Sequence, residues 1–239
     1  MESLEAELER ARELDTTELA DSIEAIGFEC TRCGACCKAA ENDGCGDANG
    51  QNSEAGAGEP TAEEHTATVF PDEVRHLRET GNYDWRDVAR PMPYGIEPGE
   101  HGPEGETFEW GLQTDGCGDC TFYAEDETGV GACTAHEDRP LICRTYPFSV
   151  ALAGTSQPMG GAIEQRGEVR AHECEGLGRD ISRADAEELA GALKERAIRE
   201  LREAIAVREN YEPVNPEPGE VVVHDSEGAK RPDGTPIGD

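Results

Sequence analysis

Positive charge is scarce in this chain: 21 Lys and Arg face 53 Asp and Glu over 239 residues, a formal net charge of −32. Nucleic-acid affinity rests mainly on cations that neutralise phosphates, so an electrostatic nucleic-acid binder is excluded, and anionic membrane surfaces are disfavoured for the same reason. Aromatic residues make up only 5% of the chain and apolar residues 36%. A core built from so little must be small or reinforced. No run of about 18 apolar residues is present, so no membrane span is expected. The segment Met1 to Glu7 carries neither a basic stretch nor an apolar one. No secretory signal is therefore expected, and the cytoplasm is the expected location.

Lysine is rarer still, with Lys38, Lys194 and Lys230 the only three, and the acids are spread along the whole chain. Dense carboxylates keep a protein soluble where salt screens repulsion to within a few ångströms, at the cost of self-repulsion in dilute buffer. That pattern reads as adaptation to high salt, a halophilic acidic protein.

Cysteine is the residue in excess, at ten. In a chain with no secretory signal, clustered thiols point to metal or redox chemistry before a disulfide framework. Residues 30 to 37 read Cys-Thr-Arg-Cys-Gly-Ala-Cys-Cys, four thiols in eight positions. Two cysteines separated by two residues can grip one metal from a single turn, and Gly34 eases that turn by tolerating positive φ. Adjacent side chains diverge, so Cys36 and Cys37 are expected to point at different sites. Cys120, Cys133, Cys143 and Cys174 follow, and four plus four suggests two four-thiolate sites drawing on both halves. Cys30, Cys33 and Cys36 also fit the first three positions of an iron–sulfur run, although no Cys-Pro dipeptide follows. Zinc and iron both accept thiolates, so the donor type alone does not choose between them. Cys45 and Cys117 stand apart as spare cysteines. His136 and His172, within three residues of Cys133 and Cys174, are candidate nitrogen ligands; His65, His76, His101 and His224 are expected to be solvated.

Apolar spacing predicts helix over residues 2 to 26, with Leu4, Leu8, Ala11 and Leu14 on one stripe and Leu19, Ile23 and Ile26 on a second, packed over the metal region. Residues 41 to 67 read as a flexible acidic insertion. Pro71 opens a helix to about Thr80, stopped by Gly81, and a short helix follows Asp84. The clearest helix runs from Ser182, its N-cap, through Leu189, Leu193, Ala197, Leu201 and Ile205 to about Asn210. Five prolines after it suggest a disordered tail over 211 to 239. The expected architecture is mainly α with irregular metal-stapled loops. An N-terminal helical segment (1 to 27) and a C-terminal helix (179 to 210) flank a cysteine-nucleated domain (28 to 178).

Cys30-x-x-Cys33-Gly34-x-Cys36-Cys37, Cys120-Thr-Phe122-Tyr123, Cys133-Thr-Ala-His136, Arg139-Pro140-x-x-Cys143-Arg144-x-Tyr146-Pro147-Phe148 and Cys174-x-Gly176 occur in that order. The set resembles the YkgJ-type cysteine cluster family, the CxxCxxCC domain described as chelating zinc or iron, over residues 28 to 178. The resemblance implies metal chelation by Cys30, Cys33, Cys36, Cys37, Cys120, Cys133, Cys143 and Cys174. Some relatives are flagellin lysine methylases. This chain departs by its insertion after Lys38 and by His136 where the family often has tyrosine. Arg139 and Arg144, bracketing Cys143, are candidates to offset thiolate charge.

Three functions fit these residues. The first is a metal-binding protein for zinc or iron with metal ions as its partner, the second an iron–sulfur redox protein, the third a lysine methylase-like enzyme using S-adenosylmethionine. No strand followed by a glycine-rich loop supports a doubly wound cofactor domain for the third, since Gly56-Ala57-Gly58 precedes no helical pattern. No catalytic residues stand out of the acidic background, and the chelating reading is preferred.

Overall fold

A computed structural model describes residues 3–39, 65–156 and 161–238. Of these, 36% are helical and 24% are in strands arranged as four sheets. The fold is mixed, which corrects the mainly α expectation. The strands between residues 68 and 172 are two to six residues long, too short to print a period of two on the sequence.

The chain begins with α1 (Leu4–Glu13) and α2 (Thr16–Ile26). Ser3 Oγ accepts from the Ala6 amide at 3.3 Å, and Asp15 Oδ1 accepts from Thr17 N at 2.7 Å, so each helix starts on a side-chain cap. Gly27, at φ +79°, ends α2 where a Cβ would stand 2.4 Å from the Arg179 carbonyl oxygen. β1 (Thr68–Val69), α3 (Pro71–Gly81), α4 (Trp85–Val88) and β2 (Ala89–Pro91) follow, then β3 (Ile96–Gly99), β4 (Gly102–Thr107) and β5 (Trp110–Leu112). The cysteine-bearing stretch holds β6 (Tyr123–Glu125), β7 (Gly131–Cys133) and α5 (Leu141–Thr145). Next come β8 (Phe148–Val150), β9 (Ala162–Arg166), β10 (Val169–His172) and α6 (Arg183–Asn210). β11 (Val221–Asp225) and β12 (Gly228–Lys230) close the chain.

Two hydrophobic cores result. In the first, α6 is the spine: 28 residues, about 42 Å at 1.5 Å per residue. Its buried face is built from Ala186, Ala190, Leu193, Ala197 and Leu201, and the small alanines let α1 and α2 approach closely. Leu8, Ala11, Leu19, Ile23 and Ile26 fill that seam, with the antiparallel sheet β8-β10-β9 beneath. The N-terminal helices therefore pack on α6 and its sheet, and it is this seam, more than the cysteines, that they cover. The second core gathers α3, α4 and the sheet β1-β5-β2 around Val74, Leu77, Trp85, Val88 and Trp110. Cys120 belongs to it, and Cys37, Cys133 and Cys143 pack against its edge.

The segment expected to be a disordered tail instead completes a sheet of order β12-β11-β4-β3, with β11 parallel to β4. Val223 enters the second core, and buried Asp225 accepts from Trp110 Nε1 at 2.8 Å and from Lys230 Nζ at 2.7 Å. His224, expected in solvent, is 1% exposed and pairs with Glu106 Oε1 at 2.9 Å. His65 is also buried, its amide donating to the Gly118 carbonyl at 2.9 Å; burial pulls its imidazole down to about 4. The expected flexible insertion lies outside the described residues except for residues 65 to 67, and so does Cys45.

Candidate metal centre

The segment 29 to 38 has no regular structure of its own beyond one 3-10 turn, Ala35–Cys37, and is held by three neighbours. Behind Cys30, Glu29 N donates to the Gly176 carbonyl at 3.0 Å and Gly178 N to the Gly27 carbonyl at 3.0 Å. The strands approach so closely that a Cβ on Gly176 would stand 2.2 Å from the Glu29 carbonyl oxygen. Glycine at 176 thus permits the contact that brings Cys30 beside Cys174. At the other end, Cys120 N donates to the Cys37 carbonyl at 2.8 Å, and in the middle Gly131 N donates to the Arg32 carbonyl at 2.8 Å, two residues before Cys133.

Gly34, at φ +77°, caps the 3-10 turn, and Cys37 N closes it on the Gly34 carbonyl at 2.8 Å. A Cβ at Gly34 would stand 2.2 Å from the Tyr123 hydroxyl, and one at Gly131 would stand 2.6 Å from the same ring. Tyr123 therefore lies in a slot between two glycines, over the turn. Its hydroxyl and Lys38 Nζ both donate to Glu125 Oε2 at 2.7 Å, which ties the end of the cysteine segment to β6.

Cys143 is set by α5. Pro140 precedes that helix, and half-buried Glu73 of α3 accepts from Leu141 N at 2.9 Å while also accepting from Phe70 N at 3.0 Å. One carboxylate thus caps two helices, and burial raises its pKa. Glu73 was not singled out by sequence reasoning; its only signal was its place three residues after Phe70, in the first turn opened by Pro71.

All eight cysteines proposed as ligands are free thiols: Cys30, Cys33, Cys36, Cys37, Cys120, Cys133, Cys143 and Cys174. Cys117 is disulfide-bonded and stands outside that set. The thiols fall into two neighbourhoods. Cys120 and Cys133 raise the pKa of Cys143, Cys133 raises that of Cys120, and Cys36 raises all three; Cys174 feels Cys33, Cys36 and Cys30. Cys36 is common to both. Its sulfur is 3.8 Å from that of Cys37, so the adjacent side chains do not diverge as expected; the tight turn folds both toward one side.

Burial is the leading cause that pushes Cys120 up to about 11 and raises Cys133, Cys143 and Cys174, with neighbouring thiols adding repulsion. For Cys36 the hydrogen bond with Cys37 leads and burial follows. The Arg139 guanidinium opposes the shift at Cys36 and Cys133. Such thiols keep their protons at neutral pH unless a soft cation displaces them. Among the described residues no three Cys, His, Asp or Glu side chains stand close enough to enclose an ion. The thiols are gathered without being closed. A set made only of sulfur donors fits zinc or iron, and does not fit magnesium or calcium.

Neither candidate histidine joins them. His172 is buried in β10 with Nε2 2.8 Å from Ser149 Oγ, and His136 is exposed with Nδ1 3.4 Å from Glu137. Tyr146, missed as a neighbour, donates its hydroxyl to the Glu173 carbonyl beside Cys174. Burial raises the phenol's pKa, with Cys174, Cys36 and Cys33 adding to it.

A family model named CxxCxxCC, with the description "Putative zinc- or iron-chelating domain", matches residues 29–175. No curated protein and no solved structure matches the chain.

Proposed function

The chain belongs to the CxxCxxCC family of zinc- or iron-chelating domains, and from that premise we propose that its eight free thiols hold two neighbouring ions of zinc or iron. Cys37, Cys120, Cys133 and Cys143 serve one ion; Cys30, Cys33, Cys36 and Cys174 serve the other. The observation that carries this reading is the packing of Cys37, Cys120, Cys133 and Cys143 around one core, apart from the Glu29–Gly176 contact that places Cys30 beside Cys174. Bound there, the metal supplies cross-links between segments distant in sequence. The chain's own part is to present the thiols: Glu73 fixes the start of α5, Gly176 admits Cys30 beside Cys174, and Arg139 offsets thiolate charge.

The same reading makes this a chelating protein of the cytoplasm, with its eight cluster cysteines reduced. The charge of −32 supports a salt-rich interior. No further observation favours the methylase-like or iron–sulfur alternatives.

The grouping is tested by serine substitution with metal counted per chain. Cys143→Ser and Cys174→Ser are each expected to lose about half of the bound metal, and the double variant all of it. Cys36→Ser, at the border, should disturb both sites and retain less than either single variant. Loss of all metal from both single variants, or of none, would contradict two sites divided in this way.

A further inference from the structure

A cavity of about 400 Å³ opens beside Cys30, between the loop at Phe28, the flanks of α5 and the first turns of α6. That volume suits a small molecule. Its charges are segregated. The α5 segment contributes Arg139 and Arg144, while Glu29, Asp180, Asp185 and Glu188 come from the cysteine loop and the α6 side. Phe28, Ile181 and Leu189 supply an apolar surface.

Several of the scarce arginines find carboxylates: Arg75 with Glu227, Arg199 with Asp72, Arg183 with Asp21 and Glu24. Among the described residues, Arg139 and Arg144 make no ion pair, as Arg32, Arg78, Arg170 and Arg202 make none, although four carboxylates line the same cavity. Arg139 Nε is held by the His136 carbonyl at 3.0 Å, which orients the guanidinium without neutralising it. In a chain of charge −32, two cations without a carboxylate partner, Arg139 offset only by the thiols near it, line one cavity with four acids, and a ligand carrying both charges would match them.

We propose that this cavity binds a small zwitterion with an apolar body. Its carboxylate sits on Arg139 and Arg144, its ammonium group on the acids of the α6 side, and its apolar part on Phe28, Ile181 and Leu189. A simple anion would meet the acidic side and a simple amine the arginines, so each half-ligand is repelled by the wall it does not match. The ligand contacts no metal in this reading, but Glu29, Arg139 and Arg144 lie in segments that metal holds, so the metallated chain is the sample.

L-leucine is the probe, titrated calorimetrically into the full-length purified chain at fixed ionic strength, beside 4-methylpentanoate, which lacks the ammonium, and 3-methylbutylamine, which lacks the carboxylate. Leucine should saturate in about the millimolar range, with each analogue at least about tenfold weaker. Arg139→Gln/Arg144→Gln should weaken leucine at least about tenfold. Glu188→Gln, on the exposed side of α6, should weaken leucine but leave 4-methylpentanoate no weaker. Metal content of the same samples reads the cysteine sites separately, so failure there is distinguishable from failure here. Absence of saturation by about 10 mM, equal binding of an analogue, or leucine binding unmoved by both variants would overturn the proposal.

Discussion

Stripping the metal anaerobically with a chelator is expected to collapse protection of the cysteine-bearing segments while sparing the α1, α2 and α6 seam. Thiolate–zinc sites in small domains carry about 10–16 kcal/mol of apparent binding free energy, as much as a whole domain's stability of about 5–15 kcal/mol. The two cores differ in their exposure to that loss. The first, from Leu8 to Leu201, contains no cysteine, whereas the second includes Cys120 and is edged by Cys37, Cys133 and Cys143. Residues 29 to 39 have one 3-10 turn and a few backbone hydrogen bonds to hold them. Amide exchange read before and after chelation should show protection falling at least about a thousandfold over 29 to 39 and 120 to 146, with α6 little changed. Equal protection in both states, with metal removal verified, would mean that the metal does not hold this part of the fold.

Arg196→Ala is expected to cost about 3–5 kcal/mol, the second large effect, because it breaks a buried ion pair from one side. Arg196 is 2% exposed; Nε donates to Glu200 Oε1 at 2.8 Å, Nη1 to Thr145 Oγ1 at 2.9 Å and Nη2 to the Ser156 carbonyl at 2.6 Å. Glu200 in turn accepts from Ser156 N at 3.1 Å. The pair therefore clamps α6 to the end of α5, where Cys143 sits, and to the turn after β8. Removing the guanidinium leaves a buried carboxylate, the Thr145 hydroxyl and the Phe148 and Ser156 carbonyls without their donor.

The pH dependence follows from the sign of the Glu200 shift, which burial raises even with Arg196 present. A carboxylate whose folded pKa lies above its unfolded one is stabilising below the unfolded value, and that contribution is lost as pH rises through the folded value. Without Arg196 the shift grows, so Arg196→Ala should be less destabilised at pH 5 than at pH 8. Urea unfolding at the two pH values measures this; equal destabilisation at both would show that Glu200 is not the residue left uncompensated. Replacing both partners, as in Arg196→Met/Glu200→Leu, should recover most of the loss, since paired burial of charge is itself costly.

What could be read from the sequence was local. Ser182 before its i+4 stripe and Pro71 each declare a helix within a few positions, and α6 and α3 begin there. The eight cysteines were singled out by close spacing and by family resemblance. Which of them are neighbours was not legible, because the contacts that decide it join Cys37 to Cys120 and Glu29 to Gly176, partners far apart in the chain. The expected divergence of Cys36 and Cys37 assumed generic backbone; Gly34 at positive φ and the 3-10 turn after it changed that. The sheets were hidden for a similar reason. Val221 to Val223 follow Pro213, Pro216 and Pro218, and pair with remote β4 as well as through the β11–β12 hairpin. His65 and His224 are buried by equally remote partners, the Gly118 carbonyl and Glu106.

The most direct test of the central claim is elemental analysis of anaerobically purified, full-length protein, with an absorption spectrum and an acid-labile sulfide assay on the same sample. Two ions of zinc or iron per chain, without labile sulfide, is the predicted result. Labile sulfide with a broad band near about 400 nm would replace the chelated ions with an iron–sulfur cluster, and a folded chain holding no metal would contradict the account.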